Sequence, residues 1–250
     1  MAGHLDVLPE VGSTNVELVA RAFRAELPDF SVVVTDTQTA GKGRLGRAWV
    51  APPGTTLAIS VLLKPSTTRL DRLGWLPLLA GLAMARSVGA VVPGHEVAIK
   101  WPNDVQVDGL KVSGILTELL PGVGVVIGAG LNLTMTQAQL PVPTATSLTL
   151  NGASAEDLAD RVLSDYLHRL RSLYEAFSAS GLDAAASGLR AAVTDACRTL
   201  GRRVRVELPD GTDRYGTAES LDELGRLVVR TADDSRLTVA AGDVTHLRYE

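Results

Sequence analysis

Three glycines alternate with three cationic residues in the segment 41–47, which has the sequence GKGRLGR. Glycine lets a backbone approach a ligand closely, and cationic side chains offer charge and hydrogen bonds to phosphate or carboxylate oxygens. Apolar runs at 31–34 and 56–63 flank the segment and are typical of buried strands. The pattern predicts an anion-binding loop between two strands, and a solvated loop with incidental charges is the alternative. The cationic residues are Lys42, Arg44 and Arg47.

The spacing of Gly41, Gly43 and Gly46 also satisfies the G-x-G-x-x-G pattern of dinucleotide-binding folds. That fold requires a helix that begins inside the motif and an acidic residue about 20 positions further on. Here the chain continues into Pro-Pro-Gly at 52–54, which cannot begin a helix, and the next acidic residue is Asp71. The Walker pattern is absent too, so we interpret the match as coincidental.

A second group of polar residues follows a short apolar strand predicted at 97–99. Pro102 breaks this strand, so Asn103 and Asp104 come at a bend where their side chains can face a ligand. Asp104 is the candidate magnesium ligand, because hard cations bind carboxylate oxygen and share it with substrate phosphates. A simple Asn-Asp turn is the alternative.

A third polar group, Ser13, Thr14 and Asn15, precedes a segment with apolar residues near helical spacing at 16–27. Thr14 followed by Glu17 fits a capping box, so one interpretation is a helix cap. The other is that the hydroxyls and free N–H groups of a helix N-terminus bind a polar or anionic ligand group.

Hydrophobic patterning predicts the helices that must position these groups. Residues 70–88 are apolar enough for a core helix, with Pro77 tolerated in its first turn. Amphipathic patterns predict further helices at 155–178 and 182–200. Between them and the preceding strands, residues 134–150 are polar and proline-containing and match no regular element.

Strand patterns complete the larger domain. Asp-Gly at 108–109 between two short apolar runs predicts a hairpin, with Lys111 just beyond its turn. The alternation of small and branched residues at 125–133 predicts a central strand. Within it, Gly128 and Gly130 indicate that another group approaches the backbone closely.

The hydrophobic pattern changes near residue 200 from helical spacing to short alternating strands. This change predicts two domains, 1–200 and 201–250. Five short alternating strands in the second part predict a small barrel, with a turn at 209–211. These strands are predicted at 204–206, 214–218, 227–231, 237–240 and 244–249.

Composition excludes several classes of protein. The net charge of −4 argues against a general nucleic-acid binder, and the single cysteine, Cys197, excludes a disulfide framework and a cysteine-based zinc site. The sequence has neither a signal-peptide pattern nor a long uncharged apolar span, so we expect a cytoplasmic protein without a membrane segment.

Five motifs in this order resemble those of bacterial biotin protein ligases, closely over the first 135 residues and by architecture beyond them. The motifs are GSTN at 12–15, Gln38 with 41–47 and Trp49, KWPND at 100–104, Lys111 with GILTE at 114–118, and GLNL at 130–133. The resemblance implies an α+β fold: a mixed sheet flanked by helices, similar to class II synthetases, with an SH3-like C-terminal barrel.

The same resemblance implies an ATP-dependent ligase that forms biotinyl-5'-AMP and pyrophosphate with Mg²⁺. Biotin then passes to one lysine of a biotin carboxyl carrier domain in acyl-CoA or pyruvate carboxylases. Two alternatives remain open: a lipoate or octanoate ligase or transferase of the same fold, and a non-catalytic nucleotide-sensing module. Some family members carry an N-terminal DNA-binding domain; because 11 residues precede Gly12 here, we expect no sequence-specific DNA binding.

The resemblance also implies roles for individual residues. Catalysis would fall to Lys111, Arg44 and Arg47, and Asp104 would bind the metal. Biotin or its adenylate would contact Ser13, Thr14, Asn15, Gln38, Lys42, Gly43, Arg44, Lys111 and Gly114. ATP would contact Lys42, Arg44, Arg47, Trp49, Asn103, Asp104, Lys111 and Asn132. In the family, the lysine at the Lys111 position bridges the biotin carboxylate and the α-phosphate, the cationic loop closes over the adenylate, and the segment matching 134–147 covers the adenine.

Overall fold

The structure is a computed structural model that describes residues 3–67, 69–207, 212–240 and 243–246. The helices are α1 Thr14–Arg24, α2 Leu76–Val91, α3 Leu158–Ala179 and α4 Leu189–Ala196. The strands of the first part are β1 His4–Val7, β2 Ser31–Thr35, β3 Gly41–Lys42, β4 Ala48–Trp49, β5 Thr56–Leu63, β6 Val97–Lys100, β7 Asp104–Val107, β8 Leu110–Leu120 and β9 Gly124–Asn132. The strands of the second part are β10 Arg203–Glu207, β11 Asp213–Leu221, β12 Leu227–Thr231, β13 Arg236–Val239 and β14 Asp243–His246.

A seven-stranded sheet in the order β1-β2-β5-β9-β8-β7-β6 forms the larger part of the molecule. Its pairings are antiparallel except for the parallel pair β1 and β2, so the sheet is mixed. The predicted hairpin at 108–109 joins β7 to β8, and the predicted strand at 125–133 is β9, which lies between β5 and β8. These predictions are confirmed.

Helices cover both faces of this sheet, and successive side chains of each strand point alternately to one face and the other. In β2, Val32 and Val34 belong to the larger core with α2 and α3, whereas Val33 packs with Leu18 of α1. The continuous apolar runs of β2 and β5 follow from this double burial.

The helix α2 is the buried centre of the larger core. It begins one residue before Pro77, so the proline lies in the first turn as predicted, and residues Leu70–Trp75 form a preceding 3-10 turn. The stretch Leu70–Val91 is long and apolar enough to cross a membrane, yet it lies mostly buried against the sheet and α3. Its position in the core accounts for its composition.

Four predicted helices have wrong boundaries. The helix expected at 70–88 is Leu76–Val91, because its first residues form the 3-10 turn. The helix expected at 16–27 is Thr14–Arg24, and the capping box does not form, because Ser13 precedes the helix without a side-chain cap and Glu17 accepts a hydrogen bond from Arg21 instead. The helix expected at 155–178 begins only at Leu158.

The helix expected at 182–200 shrinks to α4, Leu189–Ala196. Asp183 explains the loss of its first turns: its carboxylate accepts hydrogen bonds from the main-chain N–H groups of Ala185 and Ala186. This local turn competes with a helix. Gly188, in the left-handed conformation, then precedes α4.

The C-terminal part is a five-stranded antiparallel sheet in the order β13-β12-β11-β10-β14. Two indoles join it to the first part: Trp75 Nε1 donates to the Glu223 carbonyl at 2.8 Å and Trp101 Nε1 donates to the Gly225 carbonyl at 3.1 Å. The two sheets confirm the predicted α+β class. The predicted turn at 209–211 and the strand end at 247–249 lie outside the described residues, and the division at residue 200 stays a prediction.

Candidate active site

One cavity of about 170 Å³ brings together segments that are far apart in the sequence. It lies where the start of α1, the β3–β4 hairpin, the β6–β7 turn and the start of β8 meet over β9. Thirteen of the fourteen predicted site residues line it: Ser13, Thr14, Asn15, Gln38, Lys42, Gly43, Arg44, Arg47, Trp49, Asn103, Asp104, Lys111 and Gly114. The exception is Asn132.

The predicted anion-binding loop is a short hairpin. Gly41 in β3 pairs with Trp49 in β4, and a 3-10 turn at Arg44–Gly46 joins the two strands. A Cβ atom on Gly41 would lie 2.5 Å from the Trp49 carbonyl oxygen, so only glycine permits this pairing. No α-helix begins inside the motif, in agreement with our rejection of the dinucleotide-binding interpretation.

Arg44 is held over the cavity by Asn103. The guanidinium donates to the Asn103 amide oxygen at 3.0 Å, and the Asn103 amide nitrogen donates to the Ile115 carbonyl at 2.8 Å. The Ile115 N–H in turn donates to the Asn103 carbonyl at 2.8 Å. Both the main chain and the side chain of Asn103 are thus hydrogen-bonded to β8, and Asn103 in turn holds the Arg44 guanidinium in place.

Lys111 lies at a break in the ladder between β7 and β8. Val105 pairs with Ser113 and Gln106 pairs with Lys111, so one residue of β8 is extra and forms a bulge. Bulges re-aim side chains and are frequent beside active sites. The ammonium lies 2.7 Å from Asp104 Oδ1 and 5.9 Å from the centre of the Trp49 ring.

Uncharged polar groups form the other end of the cavity. The main-chain N–H and hydroxyl of Thr14 both donate to Gln38 Oε1, at 2.9 and 3.2 Å. The Asn15 amide donates to Glu118 Oε1 at 2.8 Å. Thr14 and Asn15 are buried, so these bonds fix their side chains at the entrance to α1.

Ser60 of β5 completes this network, and sequence reasoning missed it. Its hydroxyl lies 2.8 Å from Thr14 Oγ1 and 2.6 Å from Asn15 Oδ1, so its single hydrogen can serve either acceptor. Ser60 is fully buried in an apolar strand. A single polar residue inside the apolar run 57–63 is the signal that could have identified it.

Two glycines of β9 form the floor of the cavity, as the sequence predicted. A Cβ atom on Gly128 would lie 2.2 Å from Asn15 Oδ1, and one on Gly130 would lie 2.7 Å from the Trp49 ring. Both side chains therefore rest directly on the backbone of β9. The prediction of a close approach is confirmed.

Trp49 brings an unused hydrogen-bond donor to the cavity. Its Nε1 is buried and has no hydrogen-bond partner among the described residues. An unpaired buried donor costs free energy, about 1 to 3 kcal/mol. The arrangement suits a ligand that carries an acceptor at this point.

Asn132 lies outside the cavity lining. It is buried at the end of β9, and its amide nitrogen donates to the Thr146 carbonyl at 2.9 Å. Of the residues 134–150, which were predicted to match no regular element, 134–148 form no helix or strand, but a 3-10 turn begins at Thr149. The nucleotide contact expected of Asn132 stays a prediction.

A metal ion would find one carboxylate here. The described residues contain no cluster of three or more His, Cys, Asp or Glu side chains that could hold a metal. Mg²⁺ is commonly bound through one or two carboxylates together with substrate phosphates and water, so Asp104 fits such a site. The neighbouring Lys111 ammonium would share the same phosphates.

The charges around the cavity are unequal. Of the lining residues that the structure describes, Lys42, Arg44, Arg47 and Lys111 are cationic and Asp104 alone is acidic. The cations come from the hairpin and β8, and the uncharged network comes from α1, β5 and the segment around Gln38. The cavity suits a ligand with a neutral polar head and an anionic end, beside a phosphate group.

Comparison with known proteins gives matches along the whole chain. Residues 8–132 match the Biotin/lipoate A/B protein ligase family, and residues 199–247 match the Biotin protein ligase C terminal domain. The biotin-(acetyl-CoA-carboxylase) ligase of Mycobacterium tuberculosis is 39% identical over 98% of this chain and 89% of its own length.

A second relative is longer than this chain. The bifunctional ligase/repressor BirA of Salmonella typhimurium is 31% identical over 72% of this chain and 57% of its own length. Among solved structures, a biotin protein ligase from Aquifex aeolicus in complex with biotin and ATP superposes with a TM-score of 0.80 at 26% identity, covering 98% of this chain and 99% of that one.

Proposed function

The chain belongs to the biotin/lipoate A/B protein ligase family, as a homologue of its biotin ligases, and from this premise we propose that it activates biotin with ATP and transfers it to protein. The first step would form biotinyl-5'-AMP and pyrophosphate. The second would join biotin to a lysine of a biotin carboxyl carrier domain. The observation that carries the proposal is the convergence of Arg44, Asp104 and Lys111 on one cavity with an uncharged polar end.

The cationic side of the cavity suits the activation step. A carboxylate oxygen of biotin attacks the α-phosphorus, the new O–P bond forms, and the bond to pyrophosphate breaks with its electron pair leaving on pyrophosphate. Two anions must meet while charge develops on the leaving group. The cationic side chains would stabilise that charge, and in such sites one well-placed donor contributes about 10²- to 10³-fold in rate. These side chains are Lys42, Arg44, Arg47 and Lys111.

The uncharged end suits the ring system of biotin. Its cyclic urea has one carbonyl acceptor and two N–H donors, so it needs complementary groups without a charge. Thr14, Asn15 and Gln38 are held in place by hydrogen bonds before any ligand arrives. Such preorganisation lowers the ordering cost of binding. We assign biotin recognition to this end, with Ser13, Gly43 and Gly114 beside it.

The nucleotide would lie on the side of Trp49, Asn103 and Asp104. We propose that Asp104 binds Mg²⁺ together with the phosphates of ATP, where the ion would neutralise charge on the phosphate oxygens. Asn103 would orient Arg44 toward the same oxygens, since it holds the guanidinium at 3.0 Å. The buried Trp49 N–H would donate to an acceptor on the adenylate.

The transfer step needs the adenylate to be protected from water until an acceptor arrives. The neutral amine of the acceptor lysine then attacks the acyl carbon, the amide bond forms, and AMP leaves with the electron pair of the C–O bond. The hairpin that carries Lys42 and Arg44 lines the cavity and is well placed to cover it. We propose the cytoplasm as the site of this reaction.

Biotin incorporation into a purified carrier domain tests the proposal. Wild-type chain with biotin, ATP and Mg²⁺ should add one biotin mass to the domain, and a carrier whose target lysine is replaced by arginine should stay unmodified. Chelation of Mg²⁺ should abolish the reaction. Modification with lipoate or octanoate instead of biotin would identify the rival ligase, and failure with all three acids would favour a nucleotide-sensing module.

A further inference from the structure

A short segment outside the cavity hydrogen-bonds both the main-chain N–H and the main-chain carbonyl of Lys111. The Lys111 N–H donates to the Thr144 carbonyl, and the Thr146 N–H donates to the Lys111 carbonyl, each at 2.8 Å. Residues 144–146, which we call the strap, therefore run beside Lys111 as a one-residue extension of the sheet.

The strap lies where the regular sheet gives Lys111 no neighbour on that side. The pairing of β8 with β9 begins at Ser113 and Leu131, two residues beyond Lys111. On the other side, the bulge interrupts the ladder to β7 at the same point. The Lys111 main chain is therefore held by the hairpin on the β7 side and by the strap on the β9 side.

Thr146 is the residue through which the strap is held. It is buried, and each of its polar groups has a partner. Its N–H donates to Lys111, its carbonyl accepts from Asn132 Nδ2 at 2.9 Å, and its hydroxyl accepts from Asn151 Nδ2 at 2.8 Å. Asn151 also donates to the Ser147 carbonyl at 2.7 Å. Two asparagines from different segments thus fix one threonine.

From this geometry we propose that Thr146 is a positioning residue for Lys111, and that Asn132 and Asn151 act through Thr146. The inference rests on the proposed function, because it concerns the residue expected to meet the carboxylate and phosphate. If the Lys111 ammonium were displaced by a fraction of a hydrogen-bond length, the rate of the activation step would fall. Binding of biotin at the opposite, uncharged end would be unchanged.

Kinetics of Thr146→Val test the proposal. Valine keeps the shape and the main-chain bonds but removes the hydroxyl that Asn151 holds. We expect kcat for biotin-dependent pyrophosphate release to fall about tenfold, with KM for biotin within about twofold of wild type. Thr146→Ser retains the hydroxyl and should restore kcat to within about twofold.

A double-mutant cycle separates positioning from stability. In the Lys111→Ala background, measured by single turnover with enzyme in excess, Thr146→Val should change the residual rate by less than about twofold, because no ammonium is left to place. Ser87→Ala is the control, because it removes a buried hydroxyl that lies in α2 instead of the strap. It should lower Tm without changing kcat.

The outcomes are distinct. If wild type releases no pyrophosphate with biotin and ATP, the proposed function fails. If wild type is active but Thr146→Val keeps wild-type kcat, or loses the same factor without Lys111, the positioning role is overturned and the function stands. A rise in the KM for biotin with constant kcat would also contradict the role.

Discussion

The seven-stranded part and the C-terminal sheet use polar residues in opposite ways. In the first, the uncharged side chains of Thr14 and Asn15 are buried and line one cavity, and both are hydrogen-bonded to the buried Ser60. In the second, Glu219 pairs with Arg230 at 3.1 Å and with Arg236 at 2.9 Å on the surface. The interior of that sheet is apolar, formed by Val204, Val206, Ala218, Leu221, Leu227, Val229 and Val239.

The candidate functional residues are therefore concentrated in the seven-stranded part. Burying an uncharged polar group costs free energy unless each donor and acceptor finds a partner, and the hydrogen bonds that meet this need also hold the side chains beside the cavity in place. Exposed ion pairs contribute little to stability. The C-terminal sheet instead packs against the catalytic part, accepting hydrogen bonds from Trp75 and Trp101.

The largest expected effect is on the cationic side of the cavity. Lys111→Ala should lower the rate of biotin-dependent pyrophosphate release about 10²- to 10³-fold, because it removes the charge beside the reacting phosphate. Lys64→Ala, which removes a lysine that does not line the cavity, should leave the rate unchanged. Equal rates for Lys111→Ala and wild type would remove Lys111 from the mechanism.

The floor of the cavity should be nearly as sensitive. In Gly128→Ala the new methyl group would collide with Asn15, whose amide lies 2.2 to 2.9 Å from the Cβ position. We expect KM for biotin to rise about 5- to 100-fold from this overpacking, with a smaller change in KM for ATP. Isothermal titration with biotin alone would check the affinity.

Gly89→Ala is the matched control for this substitution. Gly89 lies in α2, and a Cβ atom there would meet its nearest neighbour, Val97 Cγ2, at an ordinary distance of 3.9 Å. Its affinity for biotin should equal that of wild type. A loss of affinity shared by both variants would mean that general destabilisation, rather than the Asn15 contact, causes the effect.

Removal of one hydroxyl from the uncharged network should have a moderate effect. Ser60→Ala leaves Thr14 and Asn15 without their common partner, and we expect KM for biotin to rise about 5- to 10-fold. Ser31→Ala removes a buried serine hydroxyl that donates to the Pro28 carbonyl at 2.8 Å, away from the cavity. Steady-state kinetics should show no change in KM for that variant, and a rise as large as that of Ser60→Ala would count against the network.

The smallest effect is expected in the C-terminal sheet. Hydrogen bonds from Thr231 and Ser235 lower the pKa of Asp233 from 3.8 to about 2, so its carboxylate is favoured in the folded chain. This contribution is present above about pH 4 and disappears as the pH falls through about 2. Asp233→Asn should lower Tm slightly at pH 6, with no change in activity.

Thermal scans of wild type and Asp233→Asn at several pH values measure that contribution. The two Tm values should converge between pH 4 and pH 2. A Tm difference that persists unchanged at pH 2, or a loss of biotin transfer at neutral pH, would contradict the separation of roles between the two sheets.

The sequence predicted most of this site, partly because its motifs carry their own local geometry and partly because they resemble those of biotin protein ligases. The Asp-Gly turn forms the hairpin that places Lys111. Gly128 and Gly130 indicate that other side chains pack directly on the backbone at these positions. Those features depend on neighbours in the chain. The residues that line the cavity were therefore predictable wherever a motif lies next to a turn or a strand end.

Residues that act through long-range contacts were beyond the sequence. Ser60 lies within an apolar run, and its role appears only when β5 and α1 come together. Asn132 was placed at the nucleotide by resemblance, yet it holds Thr146, 14 residues further on. The helix turns wrongly predicted near Asp183 have a local cause instead, because a side-chain hydrogen bond to the nearby main chain competes with the helical pattern.

The fate of the α-phosphorus of ATP tests the account most directly. With ATP labelled at that position, biotin and no acceptor, the label should accumulate in biotinyl-5'-AMP bound to wild-type chain, with an equal amount of pyrophosphate released. Lys111→Ala should retain the label in ATP. Release of labelled ADP, or an adenylate formed equally well with lipoate, would contradict the claim that the cavity joins a biotin carboxylate to a nucleotide.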